Sequence, residues 1–299
     1  MTALNLAVVG ECMLEFYQQQ KDLFRLGFAG DAYNVAVYFV RCVETDVKVQ
    51  FVTALGTDSY SQRMLAEWRH QGVGVDYVRF IEKRMPGLYL VETDDVGERD
   101  FHYYRQQSAA RIMFDGDEGT ALLQRLFEFD YVYFSGITLA ILEAESRQKW
   151  ISILADLKKA GIVIYFDTNY RPKLWPTPEE ARACMESVLP YVDVALPSFT
   201  DMYTLYGDRD IEACVDRYLS AGVKKLVITQ GDMGYMLADR EHRRYVPVDA
   251  VQAIDTTGAG DSFNAAYLAY TIEAEDDLTA CQKAAALARE VVQHRGAIL

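Results

Sequence analysis

The chain is 299 residues long, 51% hydrophobic and 25% charged, the balance of a soluble chain with a real core and enough length for one large α/β domain. Lys+Arg number 30 against 44 Asp+Glu, a formal net charge of −14, and that field opposes polyanions, so nucleic acid and anionic membranes are poor partners. A small anion can be held only where local Arg, Lys or backbone N–H groups overrule the global charge.

In chain order, the start MTALNLAVVGECMLEF has no basic n-region and no small-residue cleavage site, and its first basic residue is Lys21. No apolar run approaches the ~20 residues of a membrane span. A cytoplasmic chain is expected. Residues 4–9 read as a buried strand, 31–42 as an apolar-faced helix, 49–54 as a strand and 59–71 as a helix. Later come strands at 130–135, 162–167, 192–196 and 225–230. Helices fall at 143–160, 178–189, near 199–206 and 210–221, and at 259–272 and 276–293. Short apolar runs between amphipathic helices predict a mostly parallel sheet covered on both faces. There is no repeat and no obvious linker.

One region breaks this rhythm. From Val75 to Arg105 the sequence holds three strand-like pieces, VDYVRFIE, GLYLVET and RDFHYYR, with turns marked by Pro86-Gly87 and by Asp94-Asp95 with Gly97. Alternating aromatics (Tyr89, Phe101, Tyr103) predict a small antiparallel flap able to cover a site, or else an edge hairpin extending the sheet. The five cysteines (Cys12, Cys42, Cys184, Cys214, Cys281) form no C-x-x-C pair and read as reduced thiols. The four histidines (His70, His102, His242, His294) show no H-E-x-x-H spacing, so a dedicated metal cage is not expected.

The densest chemical signal is Asp255-Thr256-Thr257-Gly258-Ala259-Gly260-Asp261-Ser262-Phe263, between the strand-like RYVPVDAVQAI and the helix SFNAAYLAYTIEA. Two glycines around an alanine leave the backbone bare where a helix begins, and its unpaired N–H groups and dipole make an anion site. Asp261 lies in that first turn. It is either an N-capping acid or the group that takes a proton from an attacking hydroxyl, and the glycines favour the second. A Walker loop, an early dinucleotide fingerprint and the protein-kinase motifs are all missing.

Gly258-Ala259-Gly260-Asp261 in DTTGAGDSFNAAYL resembles the C-terminal signature of the ribokinase (PfkB) family of sugar kinases. Phe28-Ala29-Gly30-Asp31-Ala32-Tyr33-Asn34-Val35-Ala36 resembles its N-terminal one. Within the family, several pieces look most similar to the kinases of 2-keto-3-deoxygluconate. They are Gly10-Glu11-Cys12-Met13, Pro86-Gly87-Leu88-Tyr89, Tyr103-Tyr104-Arg105, Asn169-Tyr170-Arg171-Pro172-Lys173-Leu174-Trp175 and Arg295-Gly296-Ala297-Ile298. The resemblance implies a ribokinase-like three-layer α/β/α domain over 1–299, with a β-sheet lid formed mainly by 75–105 with part of 10–30. It implies ATP-dependent transfer to the 6-hydroxyl of that sugar acid, with Mg²⁺ bound mainly through phosphates and a monovalent cation in some relatives beside Asp255 and Thr257. Pairing with a second copy through the lid is also expected.

By the same resemblance Asp261 is the base and Gly258, Ala259 and Gly260 hold the transferring phosphate. Gly30, Asp31 and Asn34 meet the sugar, Tyr89, Tyr103 and Arg105 reach down from the lid, and Arg171 serves substrate and phosphate together. Asn169, Thr229, Gly231 and Gly234 border the nucleotide, and His294 lies near the base. Planar arginines suit a substrate carboxylate. Each assignment has a plainer rival: a solvated strand residue for Arg105, a loop ion pair for Arg171, flap packing for the two tyrosines, a helix-start residue for Asn34. Two departures stand out. Ser198-Phe199-Thr200-Asp201 replaces the family's Asn-x-x-Glu, and Thr229-Gln230-Gly231-Asp232-Met233-Gly234 lacks the lysine of Lys-x-Gly-x-x-Gly. Asp31 stands where ribokinases carry lysine, which argues against ribose. A fructokinase or related deoxygluconate kinase, and a non-catalytic sugar-acid sensor, are the alternatives.

Overall fold

A computed structural model describes residues 4–20, 23–93 and 99–299. The chain opens with β1 (Leu4–Val9), β2 (Met13–Gln20), β3 (Leu23–Ala29), α1 (Asp31–Cys42), β4 (Val47–Leu55) and α2 (Ser59–His70). It continues through β5 (Val78–Phe80), β6 (Leu88–Thr93), β7 (Arg99–Tyr104), α3 (Gly116–Gln124), β8 (Tyr131–Ser135), α4 (Gly136–Ile141), α5 (Ala144–Lys159) and β9 (Val163–Asp167). Then follow α6 (Pro178–Val188), β10 (Val194–Ala195), α7 (Phe199–Tyr206), α8 (Ile211–Ser220) and β11 (Lys225–Thr229). The last elements are β12 (Gly234–Ala238), β13 (Arg243–Pro247), α9 (Ala259–Ile272) and α10 (Asp277–Val291).

Nine strands form one sheet in the order β13-β12-β11-β10-β9-β8-β1-β4-β5. It is parallel from β11 to β5, with β12 and β13 added antiparallel at one edge. Alternate residues of β1 serve opposite faces. Ala7 and Val9 pack with Phe134, Trp150 and Phe166, while Leu6 and Val8 pack with Tyr33, Phe51 and Trp68. Two cores, one on each side, are what a near-continuous apolar strand requires. No helix among the described residues is long and apolar enough to cross a membrane.

A second sheet, β3-β2-β6-β7, stands off the first as a lid. Two antiparallel pairs, β2 with β3 and β6 with β7, are joined by parallel pairing of β2 with β6. The expectation for 75–105 therefore divides. Its first piece does not enter the lid, because Val78–Phe80 pairs with Thr53–Leu55 and extends the main sheet. Residues 13–29 supply as many lid strands as 88–104, whereas the sequence puts most of the lid in 75–105. The Asp94-Asp95 and Gly97 turn, and Lys21, lie outside the described residues.

Other differences are local. The strand at 192–196 shrinks to Val194–Ala195. The strand-like 244–254 stops at Pro247, after which the chain runs irregularly to the glycine turn. Helix α9 is not amphipathic, since every residue from Ser262 to Ala269 is buried. It packs against both α1 and α10, and a helix covered on several sides carries apolar residues all round.

Candidate active site

Gly258 stands at the N-cap of α9 with φ 79, in the left-handed region that favours glycine, and no side chain caps the helix there. A Cβ at Gly258 would come 2.4 Å from the Ala297 carbonyl oxygen, so the terminal segment backs the turn. Asp255 fixes it further. Its Oδ1 accepts from the Thr257 N–H (3.0 Å) and hydroxyl (2.7 Å), and its Oδ2 from the Gly296 N–H (2.7 Å). Gly260 has the opposite surroundings, for a Cβ there would meet no protein atom within 4 Å. That cradle fits a phosphate, which needs bare N–H groups and open space beside them.

Asp261 is partly buried one residue further on, and Asn34 Nδ2 donates to its Oδ2 at 2.7 Å from the first turn of α1. Burial pushes this carboxyl from 3.8 up to about 7, helped by the charge of Asp31 and opposed by Asn34 and Arg171. Asp31 accepts from the Ser135 hydroxyl and, at 3.3 Å, from Asn169 Nδ2. Gly30 permits this convergence, because a Cβ on it would fall 2.3 Å from the Glu11 carbonyl oxygen.

The end of β9 completes the floor. Asp167 is buried, accepts from Asn264 Nδ2 at 3.0 Å, and is raised well above the usual range by burial and by Asp201, Asp261 and Asp31. Asn169 adopts φ 32, and its Oδ1 is buried without a partner. An orphaned buried acceptor of this kind suits a donor group on a ligand. Arg171 is 55% exposed with its Nη1 3.7 Å from Asp201 Oδ1, loosely enough held to serve an anion. Asp201 also accepts from the Tyr170 N–H at 3.1 Å, and Ser198 caps α7. The Ser198–Asp201 departure thus builds a helix start and a seat for the Tyr170–Arg171 loop.

Beside the turn a cavity of about 260 Å³ is lined by Thr229, Gly231, Gly234, Thr256, Ala259 and Gly260, and by Val248, Asp249, Ala285 and Arg289 among others. His294 does not reach it. That side chain is exposed just past the end of α10, its Nδ1 lies 3.0 Å from the Glu290 carbonyl of that helix, and it is not among the residues that line the cavity.

From the lid, the Tyr89 hydroxyl donates to Glu15 Oε1 at 2.6 Å and its ring lies tilted against Tyr103, centroids 5.5 Å apart. Burial raises the Tyr103 phenol, with Arg105 and Arg171 pulling it down and Asp31 and Glu15 pushing it up. This one side chain therefore sits between charges of lid and floor. Arg105 is buried, and its Nη2 pairs with the buried carboxylate of Glu11.

A family model described as pfkB family carbohydrate kinase matches residues 3–299. The chain belongs to this family. It is similar to the 2-dehydro-3-deoxygluconokinase of Dickeya dadantii (strain 3937), 39% identical over 305 residues that cover 100% of this chain and 98% of that protein. The 2-dehydro-3-deoxygluconokinase of Escherichia coli K12 is 40% identical, with 99% and 97% covered. Among solved structures, the fructokinase of Vibrio cholerae O395 with fructose, ADP and calcium ion bound superposes with a TM-score of 0.84. It covers 99% of this chain and 94% of that one at 23% identity, a likeness of fold.

For this carbohydrate kinase the sequence reading overlooked Glu11, Glu15 and Arg289. The period-two run Met13, Glu15, Tyr17 was the available signal for Glu15, because it sets that carboxylate on one face of a strand. Nothing local marks the other two. The two glycines of the turn should also behave differently. Gly258→Ala forces a left-handed β-carbon against Ala297 and is expected to cost about 1–3 kcal/mol of stability, read as a lower melting temperature. Gly260→Ala should melt like the parent yet lose about 10²-fold in turnover, because its methyl group occupies the phosphate's space. A Gly260→Ala enzyme with full activity would show that no phosphate comes there.

Proposed function

We propose that this kinase phosphorylates 2-keto-3-deoxygluconate, also called 2-dehydro-3-deoxygluconate, at its 6-hydroxyl with ATP as donor. One observation carries the reading: a carboxyl poised near 7 stands in the first turn of an uncapped helix, beside a glycine whose missing side chain faces open space. The full-length likeness to two 2-dehydro-3-deoxygluconokinases supports the substrate.

In the step, the 6-hydroxyl gives its proton to Asp261, whose Oδ2 is steadied by Asn34. The hydroxyl oxygen forms its bond to the γ-phosphorus as the bond to the β–γ bridging oxygen breaks, and ADP leaves. The N–H groups and dipole at the start of α9 meet the charge on the transferring group. Gly30, Asp31 and Asn34 border the sugar, with Tyr89 and Tyr103 above it. Arg171 faces carboxylate and phosphate, and Thr229, Gly231 and Gly234 border the nucleotide.

Mg²⁺, when bound, neutralises phosphate charge. The ion would be held mainly through the phosphates of the nucleotide, keeping several waters, as its chemistry favours. A monovalent cation beside Asp255 and Thr257 would share oxygens that already accept from Thr257 and Gly296. Exposed Leu23 and Tyr104 on lid strands support pairing with a second copy there. ATP as donor and five unpaired cysteines support work in the cytoplasm.

The test is ATP turnover with 2-keto-3-deoxygluconate, fructose, ribose and adenosine. The sugar acid should give the highest kcat/KM by a wide margin. Equal or better turnover of a neutral sugar would remove the acid assignment and favour a fructokinase, and no turnover with any would favour a sensor.

A further inference from the structure

Arg289 has no task in the fold. Its side chain makes no hydrogen bond or ion pair with any described residue, although the chain carries 44 acids, and its Nε is buried with no partner. It lies on the wall of the cavity that takes the nucleotide in the reading above, on which this inference rests.

Its place along that wall follows from helix geometry. Ala285, Ala288, Arg289 and Val292 are spaced three and four apart, so they form one stripe of α10. The Val292 carbonyl accepts from the N–H groups of Ile254 (2.7 Å) and Asp255 (3.1 Å), so the Val292 end of the stripe abuts the phosphate-binding turn. Helical side chains lean toward the N-terminus of their helix, which carries Arg289 away from that turn and over Ala285. The wall also takes in Val248, Asp249, Ala250, Val251 and Ala253, aliphatic but for the one carboxylate. Away from the turn the cavity is therefore walled mainly by small aliphatic side chains, with the Asp249 carboxylate and an unpaired guanidinium among them.

Aliphatic walls reject phosphate and accept a flat ring, and a planar cation stacks on an aromatic base. We propose that Arg289 covers the nucleobase of the bound nucleotide and sets a preference for purine donors. The side chain acts on binding of the donor and touches neither the sugar nor the reacting atoms.

The experiment compares kcat/KM for ATP, GTP and CTP in the parent, Arg289→Ala and Arg289→Lys. A stacked base is sequence-tolerant but stronger for the larger ring, so Arg289→Ala should lose about tenfold with ATP and GTP and two- to threefold with CTP. The KM for the sugar acid should stay put. Arg289→Lys keeps the charge without the plane and should resemble the alanine variant. Equal losses for all three donors together with rescue by lysine would mean a phosphate contact and would overturn the proposal, as would no loss at all. A parent enzyme that uses no nucleotide would instead sink the kinase reading itself. Melting temperatures of both variants should match the parent, since the side chain has no partner to lose.

Discussion

Asp261→Asn is expected to lower kcat by about 10³-fold or more while leaving ATP binding and the fold intact. Asparagine is isosteric, and its oxygen can still accept from Asn34, so the 2.7 Å contact survives. What goes is the proton acceptor. The same carboxyl sets the pH dependence. Because it rises from 3.8 to about 7 in the folded chain, kcat/KM should climb with pH through about 7 and then level, and this limb should vanish in the asparagine variant. The sign for stability is opposite. A raised carboxyl favours the protonated folded form, a contribution complete below 3.8 and gone once pH passes about 7. Asp261→Asn should therefore melt above the parent at pH 8, with a margin that shrinks on acidification. Unchanged turnover, or a limb that persists, would assign the base elsewhere.

The second large effect belongs to Arg105 and Glu11. All four strand connections between lid and main sheet meet at this pair. Glu11 lies between β1 and β2, and Gly30 between β3 and α1. Gly87 comes just before β6, and Arg105 just after β7. A Cβ on Gly87 would crowd both Glu11 Oε1 (2.9 Å) and Arg105 Cβ (3.1 Å), so the glycine lets the pair close. The pair is neutral as a whole, and each single change exposes one charge to a sugar acid. Arg105→Ala leaves Glu11 to repel the substrate carboxylate and should raise its KM about 10²-fold, with little effect on a neutral sugar. Glu11→Gln leaves a buried guanidinium wanting an anion. It should lower the melting temperature yet also lower KM for the acid, since the substrate supplies the missing charge. A rise in KM for acid and neutral sugar alike in both variants would reduce the pair to a lid support.

Several elements were plain in the residues alone. β1, α1 and α9 carry the bounds expected for them, because each apolar stretch is complete within a dozen or so residues. The GAGD turn was legible for a related reason: a glycine pair before a helix declares its anion site by what it lacks. The first half of the lid was expected only in part, and through family likeness, for MLEFYQQQ and LFRLGFA become strands by pairing with each other and with Leu88–Val91. His294 was named by family likeness alone; it lies just past the end of α10 and outside the cavity wall, which no local pattern foretells.

Local order and the candidate base thus come from neighbouring residues, where covalent spacing fixes geometry. The partnerships that give the base its poise come from elsewhere. Asn34 reaches Asp261 across 227 positions, and Glu11 reaches Arg105 across 94. Burial and mutual charge exist only once those segments are brought together, so the raised carboxyl, the neutral pair at the lid's root and the unpaired arginine on the cavity wall are properties of the folded molecule.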